Sequence, residues 1–431
     1  MARKFISVLG AGKYSICNYC YGDEIVKNRY IQKALTDIFC KDWTKTDKVI
    51  VFTTKEAEKN NWFGNLEEGA LSLSEELSSI NADVSNIEIP KGDNEEKQWE
   101  LFEIIFNSLE NEDEVIVDIT NGFRTIPMFL IIILSYAKVL KNIKVLGIYY
   151  GAYEDRKLNE EGVEVTPIFD LTMYDLLMDI TNGINTFLKT GNSTILTELC
   201  NEINNQAYRN NDKSLKNMNM TVKSLNNFAK AIMTCRGNIM IGDKDKSIYW
   251  AYKQMEENLN QYENSEDMLS KALNPLFEKV KEETKNFDDI DVVKNGISTV
   301  EWCIKKGFIQ QGITALEETI KTFTCIYINK RLNKDFDVYE EEHREAICNT
   351  ILNSQRFEIT EKEKYYELII EILNSGIIPE SLLTLEIQIS DLRNDANHFG
   401  MRKEKINAFN KMETKLKTYF KKFLLIIEEL S

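Results

Sequence analysis

Residues 1–170 alternate short apolar runs with amphipathic stretches, a rhythm that suits a parallel sheet covered by helices and little else. Candidate strands are residues 4–9, 49–53, 84–89, 114–119 and 144–150, with a short extra strand at 162–169. Several end in polar or glycine-rich loops: Gly10-Ala11-Gly12-Lys13-Tyr14, Thr53-Thr54, Pro90-Lys91-Gly92 and Thr120-Asn121-Gly122-Phe123-Arg124. In an open α/β sheet the ligand lies outside the carboxyl ends of the strands, so these loops are expected to gather on one edge as a pocket.

Past residue 170 the pattern changes to long helical segments, with Asn204-Asn205 and Asn210-Asn211 marking loops and no further convincing strands. Segments 300–329, 361–373, 379–397 and 403–430 carry apolar residues at three- and four-residue spacing, as bundle helices do. The 431 residues exceed what one core organises. The expected division is a Rossmann-like α/β domain at 1–170, a helical connector at 171–295 and an all-α domain at 296–431.

A formal charge of −16 argues against whole-surface attraction to nucleic acid, so any RNA site should be local. Eight cysteines without a regular framework fit a reducing cytoplasm. Cys17 and Cys20 form a lone C-x-x-C with no second pair of ligands, so no metal is expected. The N-terminus runs straight into a strand pattern without the features of a signal peptide. The most apolar stretch, residues 128–140, is too short to span a bilayer and contains Lys138; it reads as a buried helix, with no membrane association.

Glycines directly after a first strand let backbone N–H groups approach a phosphate, and Lys13 adds a positive charge. A dinucleotide fingerprint would want glycine at position 15, where Ser15 stands, and the second strand ends in Thr53-Thr54-Lys55 before any acid. A dinucleotide-dependent enzyme is therefore disfavoured. The stretch from Asp118 to Pro127 is more specific. Its strand stops at Thr120, Gly122 permits a sharp turn, and Pro127 suits the first turn of a helix. Thr120, Asn121 and Arg124 then stand beside a helix N-terminus, a place for an anion; the plainer alternative pairs Arg124 with Asp118.

Of the two histidines, His398 closes the string Arg393-Asn394-Asp395-Ala396-Asn397-His398. Metal-free RNA cleavage needs a group that handles the 2'-hydroxyl proton near neutral pH and a fixed cation for the phosphorane, roles suited to His and Arg. Residues five apart in a helix are separated by about 7.5 Å of rise and roughly 140° of rotation, so Arg393 and His398 do not share a face. Asn394 and His398, four apart, do. Either the helix ends near Asn397, with Gly400 helping the chain leave, or the site is composite. Residues 401–422 hold Arg402, Lys403, Lys405, Lys411, Lys415, Lys417, Lys421 and Lys422 against Glu404 and Glu413, a place for an RNA backbone or simply a solvated helix face. The other histidine, His343, sits among Glu340, Glu341 and Glu342 and reads as structural.

The combination F-I-S-V-L-G-A-G-K-Y, D-I-T-N-G-F-R-T-I-P and L-G-I-Y-Y-G-A resembles the CARF sensor domain of type III CRISPR accessory proteins. The string Trp302-Cys303-Ile304-Lys305-Lys306-Gly307-Phe308-Ile309-Gln310-Gln311, running into Glu317-Glu318, resembles the opening helices of a HEPN ribonuclease domain, and the R-x4-H string falls where that family keeps its active site. The resemblance implies a homodimer whose paired CARF domains bind a cyclic oligoadenylate, tetra-adenylate favoured over hexa-adenylate. Gly10, Gly12, Lys13, Tyr14, Thr53, Thr120, Asn121, Gly122 and Arg124 would contact that ligand. Many relatives carry histidine where Asn121 stands. It further implies that two R-x4-H strings meet in one cleft to cleave single-stranded RNA without cofactor or metal, leaving 2',3'-cyclic phosphate, with Arg393, Asn394 and His398 catalytic. The competing expectation is a CARF-containing transcription regulator without nuclease activity, which would need a DNA-reading helix that the acidic connector does not offer.

Overall fold

The computed structural model describes residues 2–431 apart from 65–68, 123–124, 161, 211–212, 238–239, 242–243, 246, 264–267, 288–290, 400 and 402–405. The side chains of 202, 204–210, 213–215, 240, 241, 244 and 245 are likewise left undescribed. The chain divides into two compact units, Met1–Leu176 and Leu177–Ser431.

The first unit is built on one sheet of nine strands: β1 (Arg3–Leu9), β2 (Cys17–Tyr21), β3 (Glu24–Asn28), β4 (Lys48–Thr53), β5 (Asp83–Glu88), β6 (Glu114–Asp118), β7 (Lys144–Gly151), β8 (Lys157–Leu158) and β9 (Glu164–Asp170). The order is β3-β2-β9-β7-β6-β1-β4-β5, with β8 paired to β9. From β5 through β4, β1 and β6 to β7 all neighbours are parallel, and β9 runs antiparallel to β7. Because β1 is flanked by β4 on one side and β6 on the other, the strand order reverses at β1, and the loops after β1 and β6 open at that switch point.

Side-chain alternation along β1 serves both faces. Phe5 and Leu9 pack with Ile31, Ala34 and Leu35 of the helix Ile31–Phe39, while Ile6 and Val8 pack with Leu101 and Ile105 of Glu95–Ser108 and with Leu130 and Ile133 of Ile126–Lys141. Each such fully buried aliphatic contributes roughly 1.5–3 kcal/mol, which is why a one-residue slip of β1 is not tolerated.

Three sequence expectations need correction. The β2–β3 hairpin, turning at Gly22 (φ +58°), is absent from the sequence expectation; β3 is the edge strand and β2 lies between it and β9, and their largely half-exposed residues give no apolar run. Its Cys17 and Cys20 are three apart on a strand and so face opposite sides of the sheet. The helix Ile126–Lys141 buries one face only: Met128, Ile132, Tyr136, Val139 and Leu140 are all exposed, so its uniformly apolar sequence does not mark a helix enclosed within one chain. And segment 300–329 is two helices, Val292–Lys306 and Ile309–Leu332, because Gly307 adopts φ +79° and Phe308 N–H closes back onto Cys303 O at 2.8 Å.

Among its described residues the second unit is helical apart from one pair of two-residue strands, Met240–Ile241 with Lys244–Asp245. Val292–Lys306, Ile309–Leu332, Glu380–Asn397 and Phe409–Leu430 share one core, built from Val300, Ile313, Leu316, Ile320, Leu385, Ile389, Leu416 and Phe423 among others. A neighbouring cluster joins Cys325 and Ile328 to Ile347, Cys348 and Ile351 of the π-helical turn Glu342–Asn349 and its continuation, and to Ile369 and Ile372 of Tyr366–Asn374. His343 is structural, its Nδ1 accepting from Asp337 N–H at 2.9 Å. Among the described residues, no helix is long and apolar enough to cross a membrane, and no cluster of three metal-ligating side chains occurs.

Candidate functional site

At the switch point the first loop is fixed from below. Asn61, 2% exposed, donates from Nδ2 to Gly10 O and Gly12 O, both at 2.9 Å, and Asn60 Nδ2 donates to Ala11 O at 3.0 Å. Among the described residues no peptide bond is cis, so each carbonyl of this loop is opposed by the following N–H, and the N–H groups of Ala11, Gly12 and Lys13 point away from the asparagines. Gly10 N–H donates to the Tyr14 hydroxyl at 2.8 Å, and that hydroxyl would stand 2.9 Å from a Cβ at position 10, so a side chain there would have to displace the Tyr14 hydroxyl. Burial pushes the Tyr14 phenol up, and it remains neutral.

The fourth loop is held through Asp118, which is fully buried. Its carboxylate accepts from Ser7 Oγ at 2.7 Å and Thr120 N–H at 2.9 Å; burial raises its pKa against the lowering effect of those bonds. Gln32 in turn donates to Ser7 Oγ and Val8 O. Thr120 Oγ1 accepts from Gly151 N–H at 2.8 Å, which ties this loop to the end of β7. Gly122 sits at φ +109° with Val8 and Ile126 within 3.2 Å of any added Cβ. Asn121 Nδ2 is enclosed and, among the described residues, has no hydrogen-bond partner. The structure therefore gathers Gly10, Gly12, Lys13 and Tyr14 with Thr120, Asn121 and Gly122. Thr53 is different: it is wholly buried, and its hydroxyl accepts from Asn86 Nδ2 at 3.4 Å. Arg124 lies outside the described residues.

In the second unit, the helix Glu380–Asn397 carries the R-x4-H string to its end, and His398 is the C-cap at φ −89°, ψ 14°. His398 is exposed, its N–H bonded to Asn394 O at 3.0 Å, and Phe399 then turns left-handed at φ +56°. Of the two geometries open to the sequence, the helix does end at Asn397; Gly400 lies outside the described residues, as do Arg402, Lys403 and Lys405. The returning chain is pinned by Asp395, 3% exposed, whose Oδ2 accepts from Asn407 N–H at 2.7 Å and Nδ2 at 2.8 Å. Lys411, Lys417, Lys421 and Lys422 remain exposed on the last helix, although Lys417 is paired with Glu413.

Arg393 is one-third exposed and points its Nε inward, 2.9 Å from Oε2 of Glu317, itself 2% exposed. The contact is ionic rather than an aligned hydrogen bond. Two turns earlier on the same face, Glu386 is completely buried and neither carboxylate oxygen finds a partner; burial pushes its pKa up to about 8, so it is protonated at neutral pH. Burial raises Glu317 as well, while Lys321 and Arg393 oppose the rise. Lys321, 3% exposed, completes the cluster at 3.0 Å from Glu345 and 3.4 Å from Glu318. A cavity of about 470 Å³ lies nearby against Glu318 and Arg344, but neither Arg393 nor His398 lines it.

Sequence reasoning missed Asn60, Asn61, Gln32 and the Glu317–Glu386 pair. A signal existed for Glu386, an acid within the apolar stripe Leu382, Leu385, Ile389, Leu392 that the helical period assigns to the core.

A parallel sheet whose first and fourth loops meet at its switch point defines a Rossmann-like domain. Residues 4–154 match the family model described as CRISPR system endoribonuclease Csx1, CARF domain. A stretch of 116 residues, 26% of this chain, is 32% identical to a CRISPR-associated protein of Methanocaldococcus jannaschii, covering 17% of that relative's length. The N-terminal unit is thus a CARF domain, of the kind CRISPR-associated proteins carry.

Proposed function

We propose that the chain is a CRISPR-associated, metal-independent endoribonuclease that cuts single-stranded RNA, switched on by a cyclic oligoadenylate bound at the CARF edge. The observation that carries the catalytic half is Arg393, one-third exposed, anchored through Nε on buried Glu317 and with Nη2 3.5 Å from Asn394 Oδ1, five residues before an exposed His398 at a helix end. A guanidinium fixed in this way offers its exposed edge to a phosphorane without reorganisation. His398 handles the 2'-hydroxyl proton and Asn394 orients the imidazole or the phosphate; attack by the 2'-oxygen expels the 5'-oxygen and leaves a 2',3'-cyclic phosphate. Residues 171–295 serve as connector and 296–431 as the HEPN effector.

Supporting the sensor half are the donor face of the first loop and the unpartnered Asn121 amide, both suited to an anionic, purine-bearing ring. The active protein is a cytoplasmic homodimer. Each unit exposes an apolar face in a single chain: Met128, Ile132, Tyr136 and Val139 on the CARF side, and Phe399, Met401 and Phe409 beside His398. A symmetric ring suits paired copies of one loop set, and two copies around His398 complete a cleft that one helix cannot. Tetra-adenylate is the favoured activator, acting by binding one dimer state better than the other.

The test is cleavage of labelled single-stranded RNA in EDTA, with and without cyclic tri-, tetra- and hexa-adenylate. Tetra-adenylate should stimulate cleavage by the wild type and not by His398→Ala. Equal, unstimulated behaviour of both proteins removes the nuclease reading.

A further inference from the structure

Cys325 and Cys348 face each other in the core of the second unit. Cys325 lies on the helix Ile309–Leu332 and Cys348 on the π-helical turn Glu342–Asn349. Both side chains are fully buried, both thiols are free, and their Sγ atoms are 2.9 Å apart. A disulfide bond length of ~2.05 Å is about 0.9 Å closer than that contact, so a small approach of the two sulfurs forms the bond. Around them stand Ile328, Phe336, Ile347, Ile351, Ile369 and Ile372, and none of these can accept or donate a proton. In such a lining each sulfur has the other as its polar neighbour.

We propose that Cys325 and Cys348 are a redox-closable pair, which a peroxide converts into a disulfide joining the long helix to the turn.

The two thiols share one hydrogen bond that either sulfur can donate, and the charge of Arg344 favours a thiolate at either of them. The chemistry is the same whichever sulfur reacts first. Where it is Cys325, its thiolate attacks one peroxide oxygen, the O–O bond breaks, and the departing hydroxide takes the thiol's proton to become water, leaving a sulfenic acid on Cys325. The Cys348 sulfur then attacks that sulfur; the S–S bond forms, the S–O bond breaks, and hydroxide leaves with the second thiol proton as another water. Two thiols lose two electrons and two protons, and one peroxide becomes two waters. Since both sulfurs are enclosed, the peroxide enters during local opening of the turn, and closure is slower than oxidation of the exposed Cys235.

The two joined segments are already linked by charge. Arg344 Nη2 is 2.6 Å from Glu318, and Lys321 Nζ is 3.0 Å from Glu345. These ion pairs run from the turn to the same helix that presents Glu317 to Arg393. A disulfide makes that attachment covalent and joins positions 23 apart in the chain, which restricts the unfolded state. The inference does not depend on the nuclease reading.

To test it, reduced full-length protein is treated with excess hydrogen peroxide, unfolded in N-ethylmaleimide, digested and analysed by mass spectrometry. The expected result is a peptide containing Cys325 joined to one containing Cys348, released by dithiothreitol, together with a melting temperature raised by about 5–10 °C in the oxidised protein. Cys348→Ser should lose both the cross-link and the rise. The proposal is overturned if Cys325 and Cys348 of the wild type both stay alkylated while Cys235 is oxidised, if either pairs with a different cysteine, or if Cys348→Ser shows the same rise. The peptide result on the wild type stands even where the variant folds poorly.

Discussion

Arg393 is held at 2.9 Å by a carboxylate, Glu317, that is almost entirely removed from water, and the ion pair joins two helices of one core. Glu317→Gln keeps the shape and removes the charge. RNA cleavage should fall by ~10- to 100-fold in kcat with KM little changed, because a mis-aimed guanidinium still meets the substrate but no longer meets the phosphorane. Single-turnover kinetics on Glu317→Gln and Glu317→Asp check this, with partial recovery in the aspartate variant. Wild-type rates in Glu317→Gln would show that Arg393 needs no such anchor.

Glu386 predicts a pH effect of definite sign. Its pKa rises from an ordinary 4.5 to about 8 on folding, so between those values the folded state binds more protons than the unfolded. Its stability contribution is complete below pH 4.5 and is lost as pH climbs through 8, at up to ~1.4 kcal/mol per unit. Glu386→Gln mimics the protonated acid. Urea unfolding should find the two proteins alike near pH 5 and the variant the more stable at pH 8; parallel pH profiles would contradict a buried, protonated Glu386.

Asn61→Ala removes two hydrogen bonds to buried-side carbonyls of the first loop. At ~1 kcal/mol each, the CARF unit should lose about 1–3 kcal/mol, and cyclic oligoadenylate should bind ~10-fold more weakly. Isothermal titration reads the affinity; RNA cleavage measured without any ring should be unchanged, since the residue sits in the other compact unit.

Phe399 and Phe409 are each 90% exposed, so replacing both with Asp costs a single chain little. In the dimer proposed above they are covered. Sedimentation velocity should show a weakened dimer, and cleavage should fall with it while circular dichroism stays the same. A dimer of undiminished strength would place the interface elsewhere.

The parallel core of the sheet was legible because its strands are buried on both faces: β1, β4 and β6 are almost continuous apolar runs, and the loops after β1 and β6 carry glycines at the turns. The edge hairpin β2–β3 was not, since half-exposed strands carry mixed residues such as Asn18, Tyr19 and Lys27. The R-x4-H string was visible as spelling, and its helix ended where the spacing allowed. What holds Arg393 was invisible for a plain reason: Glu317 and Arg393 are far apart in the chain, and one sequence does not say which acid a distant helix will bring to which base. The same applies to Asn61, whose two acceptors are main-chain atoms that any residue would supply.

With the carbonyls of Gly10, Ala11 and Gly12 turned to Asn60 and Asn61, the opposite side of that loop is lined by main-chain N–H groups rather than by carbonyl oxygens. Such a surface sorts visitors by polarity before any base is read. Ammonium groups, polyamines and hydrated cations, which must donate or be coordinated, would gain little by entering, whereas an oxyanion would find donors. Selection of this kind rests on main-chain dipoles rather than on net charge, which suits a strongly acidic protein.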